Sequence, residues 1–391
     1  MNIAFLCYEA FQTGGIRVYA RELLNRISSL GHRVVLFAPT PRSLSETGLN
    51  PQVELRTVNT AGMPLISAPL FGVQLPGLLR KTEKEDGRFD VVHSNAYADA
   101  LLPRLATKAM RITTVHHLGS SAAQSMRLSI LDMLAQPSSE YGPALALEGF
   151  CLRRADHIIA VSSFTRNDIL EKYRWIDHAR VSVVHHGSNP RTLTVDSGSE
   201  SYLKQAWGLE TNDRILLCVG RLERRKGIPF LLKALSNLSS RTDAKLVLVG
   251  SGSPELFKPL AKDLGISKRI VYTGYVNEDI LNALYAHASV LVHPTAMEGF
   301  GLAVADAVDA GIPIVATRVG SIPEIMTEGV DGFLVEYGDS HALADAMSIA
   351  LMSESAQPMG TRRRRPPRFS WDRTARETIS VYERLLLLGR S

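Results

Sequence analysis

Short apolar runs alternate with longer stretches whose apolar residues recur at three- and four-residue spacing, and this rhythm is played twice along the chain. In the first half the runs Ile3–Cys7, Arg33–Ala38, Val91–His93, Ile112–His116, His157–Val161 and Val181–Val184 predict buried strands of a parallel sheet. Between the first two, Ile16 to Leu30 carries the helical spacing, and Gly31 follows as a stop. The stretch from Arg42 to Gly77 is rich in Pro, Gly and Ser and predicts irregular loops facing a cleft. From Gly187 to Asn212 the chain turns polar and loses the strand rhythm, apart from a short helix at Ser201–Trp207. A second series then begins: Ile215–Val219, Lys245–Val249, Ile270–Tyr272, Val290–His293, Ile314–Ala316 and Phe333–Val335, with helices such as Pro229–Leu238 and Ile280–His287 between them. Two such series imply an α/β protein of two Rossmann-like domains facing one another across a cleft. The expected divisions are 1–188, a linker at 189–212, 213–368, and a segment 369–391. In the last, the amphipathic helix Trp371–Leu388 packs back onto the N-terminal domain.

Composition narrows the class. The 391 residues suffice for two full cores. Hydrophobic content of 45% with 21% charged residues is that of a soluble globular protein, and a net charge of +5 suits anionic ligands. No basic stripe interleaves with aromatics, so nucleic acid is not an expected partner. Cys7, Cys151 and Cys218 are far apart, form no C-x-x-C pair and lie in apolar runs. They read as buried small hydrophobes in a reducing compartment. The N-terminal apolar run is too short for a signal peptide, and no apolar stretch approaches the length of a membrane span. A cytoplasmic location is expected. The Arg362–Arg365 run reads as a solvated loop, with weak peripheral contact to anionic lipid as the alternative.

The chemistry concentrates at Glu298-Gly-Phe-Gly-Leu-Ala-Val-Ala-Asp306. A carboxylate on a glycine-flanked turn precedes a second one eight residues later, slightly over two helical turns. A helix starting near Gly299 would carry one acid at its mouth and the other two turns down, an arrangement suited to a polyol whose phosphates sit at the helix N-terminus. The flanking runs make this a βαβ unit with the acids at its ligand-binding end.

The chain resembles the retaining glycosyltransferases of family 4, which have the GT-B architecture. The resemblance rests on Val219-Gly-Arg221-Leu-Glu-Arg-Arg-Lys226-Gly227, on Glu298-Gly-Phe-Gly-Leu as the opening of a Glu-x7-Glu signature, and on Thr273-Gly-Tyr-Val, Gly320-Ser-Ile-Pro-Glu324 and Asp331-Gly-Phe-Leu-Val. In the first half Gly14-Gly15, Thr114-Val-His116, Ala160-Val-Ser162 and His186-Gly187 fall where the family has its own punctuation.

The resemblance implies a hexosyltransferase that moves a sugar from a nucleoside diphosphate, UDP by default, to an acceptor hydroxyl with retained configuration. The second domain takes the donor and the first the acceptor. Arg221 and Lys226 would stabilise charge on the departing diphosphate. Glu223, Arg224 and Arg225 between them read as solvated surface charges. Glu298 would contact donor-sugar hydroxyls, and the amides of Gly299, Phe300, Gly301 and Leu302 would approach the sugar and phosphates. Asp306, where the family has Glu, would accept hydrogen bonds from the ribose diol, directly or through water. Gly274 and Val276 would contribute backbone to base recognition. The Gly14–Gly15 loop opens onto a helix start and would face the diphosphate and acceptor. His116 would face the sugar, while His93 and Asn95 read as cleft-lining. At Glu324 a capping role competes with a site role.

No Asp-x-Asp occurs in the strand context of metal-dependent donors, so no metal or other cofactor is expected, and cations with helix termini would serve instead. Nor is there a convincing nucleophile for double displacement, which favours front-face substitution assisted by the leaving phosphate. The alternatives are a GT-B sugar-nucleotide epimerase and a non-catalytic nucleotide-sugar-binding protein.

Overall fold

The computed structural model describes residues 1–41, 47–60, 64–95, 107–121, 144–189, 191, 197–238, 242–353 and 366–388. The chain divides into two compact units: Met1–Gly187 with Trp371–Ser391, and Ser188–Ser370. The Arg362–Arg365 run lies outside the described residues.

The first unit is built on a parallel sheet of seven strands: β1 (Asn2–Leu6), β2 (Arg33–Pro39), β3 (Val53–Val58), β4 (Val91–Ser94), β5 (Met110–Val115), β6 (His157–Ala160) and β7 (Val181–Val183). Their order is β3-β2-β1-β4-β5-β6-β7. In register, Ile3 of β1 lies beside Val34 of β2 on one side and Val91 of β4 on the other. The strands β1, β2 and β4 are buried along almost their whole length because helices cover both faces of such a sheet.

One expectation fails here. Within the Arg42–Gly77 stretch the structure has strand β3 and the start of the helix Pro64–Asp86 in place of irregular loops. Phe71, Leu75 and Leu79, four residues apart, are buried against Val35, Phe37 and Val92. That packing holds a helix which composition argues against. β3 is one edge of the sheet, paired among the described residues with β2 alone, and its polar alternate residues conceal it.

The second unit repeats the design with six parallel strands: β8 (Ile215–Val219), β9 (Lys245–Val249), β10 (Ile270–Gly274), β11 (Ala288–His293), β12 (Ile314–Thr317) and β13 (Gly332–Val335), ordered β10-β9-β8-β11-β12-β13. Its core joins Leu216, Leu246 and Val290 of the sheet to Leu231 and Leu235 of the helix Ile228–Leu238 and Met347 of the helix Ser340–Met352. Burying each such side chain contributes about 1.5–3 kcal/mol.

In both sheets the strand order reverses beside the first strand, between β1 and β4 and between β8 and β11. Open α/β sheets bind ligands outside the carboxyl ends of strands at such a reversal. The loops after β8 and β11 are the two that carry Lys226 and Glu298. All three cysteines are buried and none is in a disulfide among the described residues, and no helix among them is long and apolar enough to cross a membrane.

Candidate active site

The loop after β8 closes in a single 3-10 turn, Arg224–Lys226, capped by Gly227 in the left-handed region at φ 69°. A Cβ on Gly227 would stand 1.8 Å from the Pro294 carbonyl oxygen, so only glycine lets this loop lie against the loop after β11. The two loops are stitched together: the Ala296 N–H donates to the Arg225 carbonyl at 2.8 Å, and Thr295 Oγ1 lies 3.3 Å from the same carbonyl. Arg225, expected at the surface, is buried. Its Nη1 donates to the Met297 carbonyl at 3.2 Å and its Nη2 to Glu223 at 2.8 Å. Arg225 and its partner Glu223 are thus part of the scaffold, a correction to their reading as solvated charges, whereas Arg224 is exposed as expected.

That scaffold presents Lys226 Nζ to Glu298 Oε2 at 2.7 Å, and His293 Nε2 donates to the same oxygen at 2.9 Å. Glu298 Oε1 accepts from none of the described residues. With 16% of its side chain exposed, Glu298 keeps an acceptor to offer a ligand. Burial would raise its carboxyl, but Lys226 and His293 beside it hold it well below the usual carboxylate range. Burial also lowers the Lys226 ammonium, against the pull of Glu298. His293 is lowered too, chiefly by burial. The site is therefore a fixed anion flanked by a cation, and Arg221, about one-third exposed, stands on the same loop with Nη2 3.8 Å from Glu223. Sequence reasoning placed His293 only as a strand residue. Its signal was its position as the last residue of a strand at the reversal.

Gly320 closes the third side. At φ 57° it packs under Glu298, where a Cβ would lie 2.0 Å from the Glu298 carbonyl, and that carbonyl accepts the Ser321 N–H at 3.1 Å. Glu324 lies in the first turn of the adjacent short helix Ile322–Ile325. Gly301 caps the helix Leu302–Ala310, whose first turn holds no acid. Its mouth thus retains the positive character that attracts phosphate. Gly299, Phe300 and Gly301 are buried, and the Phe300 ring packs edge-on against Phe369 at 5.2 Å, so this segment has only backbone to offer. Gly274 ends β10, and its carbonyl accepts the Gly250 N–H at 2.9 Å; Val276, two residues on, is half-buried.

Asp306 departs from expectation. It lies on the helix Leu302–Ala310 but is turned away from solvent, with 2% of its side chain exposed. Its Oδ1 accepts the Asn189 N–H at 2.8 Å, and its Oδ2 accepts from Arg191 Nε at 2.9 Å and from Arg191 Nη2. Burial raises the Asp306 carboxyl against the pull of Arg191, and Arg191 itself, which burial alone would lower, is held above its ordinary value by Asp306. Removing one partner of such a buried pair costs about 3–5 kcal/mol. An open acceptor for a ribose diol is not what this carboxylate presents.

In the first unit Gly14 caps the exposed start of the helix Gly15–Ser29, whose first turn also lacks acids. His116, just past β5, donates from Nε2 to Asn95 Oδ1 at 3.0 Å and meets the Tyr19 ring edge-on at 4.9 Å. Burial pushes it down to about 4, so it is neutral at physiological pH. Asn95 is fully buried and orients His116. His93 does not line an opening. It is fully buried, with Nε2 2.6 Å from Thr114 Oγ1 and Nδ1 bonded to Tyr382 Oη, and burial pushes it down to about 3.

Comparisons with known proteins agree with this architecture. Residues 13–191 match the family model described as Glycosyltransferase Family 4, and residues 213–353 match that described as Glycosyl transferases group 1. A D-inositol 3-phosphate glycosyltransferase of Corynebacterium urealyticum is 28% identical, over 95% of this chain and 91% of that protein. Among solved structures, sucrose-phosphate synthase from Thermosynechococcus elongatus superposes with a TM-score of 0.72 at 21% identity, covering 100% of this chain and 97% of the other. Anabaena HepE in complex with UDP and glucose gives a TM-score of 0.71 at 16% identity, covering 100% and 99%. With one model on each half of the chain, and two Rossmann-like sheets like those of its structural neighbours, the protein is a GT-B-fold glycosyltransferase of the family 4 and group 1 type.

Proposed function

We propose that the protein transfers a hexose from a nucleoside diphosphate, UDP by default, to an acceptor hydroxyl with retention of configuration, and that the second unit binds the donor. The observation that carries this reading is the Lys226–Glu298–His293 cluster at the reversal between β8 and β11. The diphosphate lies at the mouth of the helix Leu302–Ala310, where Lys226 and Arg221 take up charge as it departs. Glu298 Oε1 accepts a hydrogen bond from a sugar hydroxyl. The bond from the sugar's anomeric carbon to phosphate oxygen breaks while the bond to the acceptor oxygen forms on the same face. The acceptor's proton passes to the leaving phosphate.

Glu298 is a poor candidate for a covalent nucleophile, since Lys226 neutralises its charge and His293 donates to the same oxygen. Two cations supply the positive charge that a divalent ion supplies elsewhere, so transfer is metal-independent in this reading. The first unit takes the acceptor, with the neutral His116 as a hydrogen-bonding group for a hydroxyl. A relative named for D-inositol 3-phosphate makes a phosphorylated cyclitol a sensible first acceptor to try.

A thermal-shift panel of UDP, GDP, ADP and dTDP, each with and without EDTA, tests the donor assignment. Stabilisation by at least one, unchanged by EDTA, is expected. Release of that diphosphate from its sugar conjugate should then depend on added acceptor. No shift with any of the four would contradict the reading, and diphosphate-sugar isomerisation without acceptor would favour an epimerase.

A further inference from the structure

The helix Leu302–Ala310 carries two buried acids three residues apart, Asp306 and Asp309, and neither faces solvent. Both receive the segments by which the chain enters and leaves the second unit. Asp306 accepts the Asn189 N–H and the Arg191 guanidinium; Asp309 accepts the Ser188 hydroxyl through Oδ2 and the Arg368 N–H at 3.1 Å through Oδ1. The two segments also pair with each other, Ser188 bridging to Ser370 and its backbone N–H donating to the Phe369 carbonyl at 3.3 Å. The rest of the Arg191 guanidinium is engaged too: Nη1 donates to Glu278 at 2.7 Å, and the guanidinium carbon lies 4.7 Å over the Tyr285 ring centre.

We infer that Asp306, with Asp309, anchors this crossing of chain segments, and that the second unit does not read the ribose hydroxyls of its nucleotide through Asp306. Asp306 is 2% exposed and already accepts three hydrogen bonds, so a diol could reach it only by displacing Asn189 or Arg191, leaving the guanidinium with Glu278 alone as counter-charge. The aspartate side chain fits this task. One methylene shorter than glutamate, it keeps the carboxylate close to the helix and toward Arg191. The donor site is consequently tolerant of nucleotides without a 2′,3′-diol as far as this acid is concerned. This inference rests on the donor-site reading above.

The test measures dissociation constants for whichever of UDP, ADP and GDP binds the wild type, and for its 2′,3′-dideoxy form, on wild type, Asp306→Asn and the double variant Arg191→Gln with Asp306→Asn. The expected result is that the ratio of the two constants stays within about twofold across all three proteins. Asp306→Asn alone should melt several degrees lower without ligand, and the double variant should recover much of that loss. Should Asp306→Asn fail to fold, the double variant against wild type gives the same ratio. A ratio that collapses toward one when Asp306 is neutralised would overturn the inference while leaving the donor site intact. Binding of none of the three, nor of dTDP, to wild type would instead overturn the donor-site reading, and this inference with it.

Discussion

Lys226 and Glu298 are 72 residues apart in sequence and 2.7 Å apart in space. Neither could hold the other without the glycines that let three loops share a backbone surface. Gly320→Ala tests this directly: its methyl would meet the Glu298 carbonyl at 2.0 Å, and φ 57° disfavours alanine. Diphosphate release from the sugar donor should fall by an order of magnitude or more while nucleoside diphosphate still binds; unchanged turnover would show that Glu298 is not held from beneath. Lys226→Ala should lower turnover about 100- to 1000-fold in a folded protein, as expected for loss of a donor to a leaving group. Steady-state rates on the purified variant, with circular dichroism as the folding control, settle it. The acid and base of this pair were legible from motif spacing. Arg225 and Asp309 were not, because a charged residue declares its burial only through partners that sequence does not place beside it. Asp306 was legible as a carboxylate at the right turn, but its partner Arg191 sits 115 residues away in a polar stretch without periodicity.

The C-terminal helix Trp371–Leu388 belongs to the first unit, and single contacts show how. Tyr382 is fully buried with its hydroxyl on His93, Thr374 Oγ1 donates to the His185 carbonyl at 2.8 Å, and Trp371 stacks on His186 at 5.7 Å. Tyr382→Phe should destabilise by about 1–3 kcal/mol, since it leaves a buried imidazole nitrogen without its partner; chemical denaturation measures it. Burial holds His93 near 3 and His116 near 4 in the fold, against about 6.5 when unfolded. The unfolded chain therefore binds more protons between those values, and stability rises with pH across that window. The melting temperature should be level above pH 7 and fall as pH drops from 6.5 toward 5, with a shallower slope in His93→Gln. A temperature that rises on acidification would contradict the buried neutral state. Most of the strands were legible because a doubly covered parallel strand is predominantly apolar. The edge strand β3 and the helix Pro64–Asp86 were not, since one is half polar and the other is held by packing against its proline and glycine content.

At the scale of the molecule, one sheet order is used twice, and the reversal in each sheet marks where its ligand-facing loops lie. The repetition was visible as two rounds of the same hydrophobic rhythm, with a polar interval between them. The ends of the units were less so, because Ser188, Asn189 and Arg191 are sewn into the second unit chiefly through the side chains of Asp306 and Asp309, and lie outside its named strands. The central claim is that the reversal between β8 and β11 binds a nucleoside diphosphate sugar with Lys226 on the diphosphate and Glu298 on the sugar. Titration calorimetry tests it most directly, using the best-binding nucleoside diphosphate and its sugar conjugate on wild type, Lys226→Ala and Glu298→Gln. Lys226→Ala should weaken both ligands by about 10- to 100-fold, the worth of a hydrogen bond to a charged group. Glu298→Gln should weaken only the sugar conjugate. Affinities that neither substitution changes would place the donor elsewhere on the molecule.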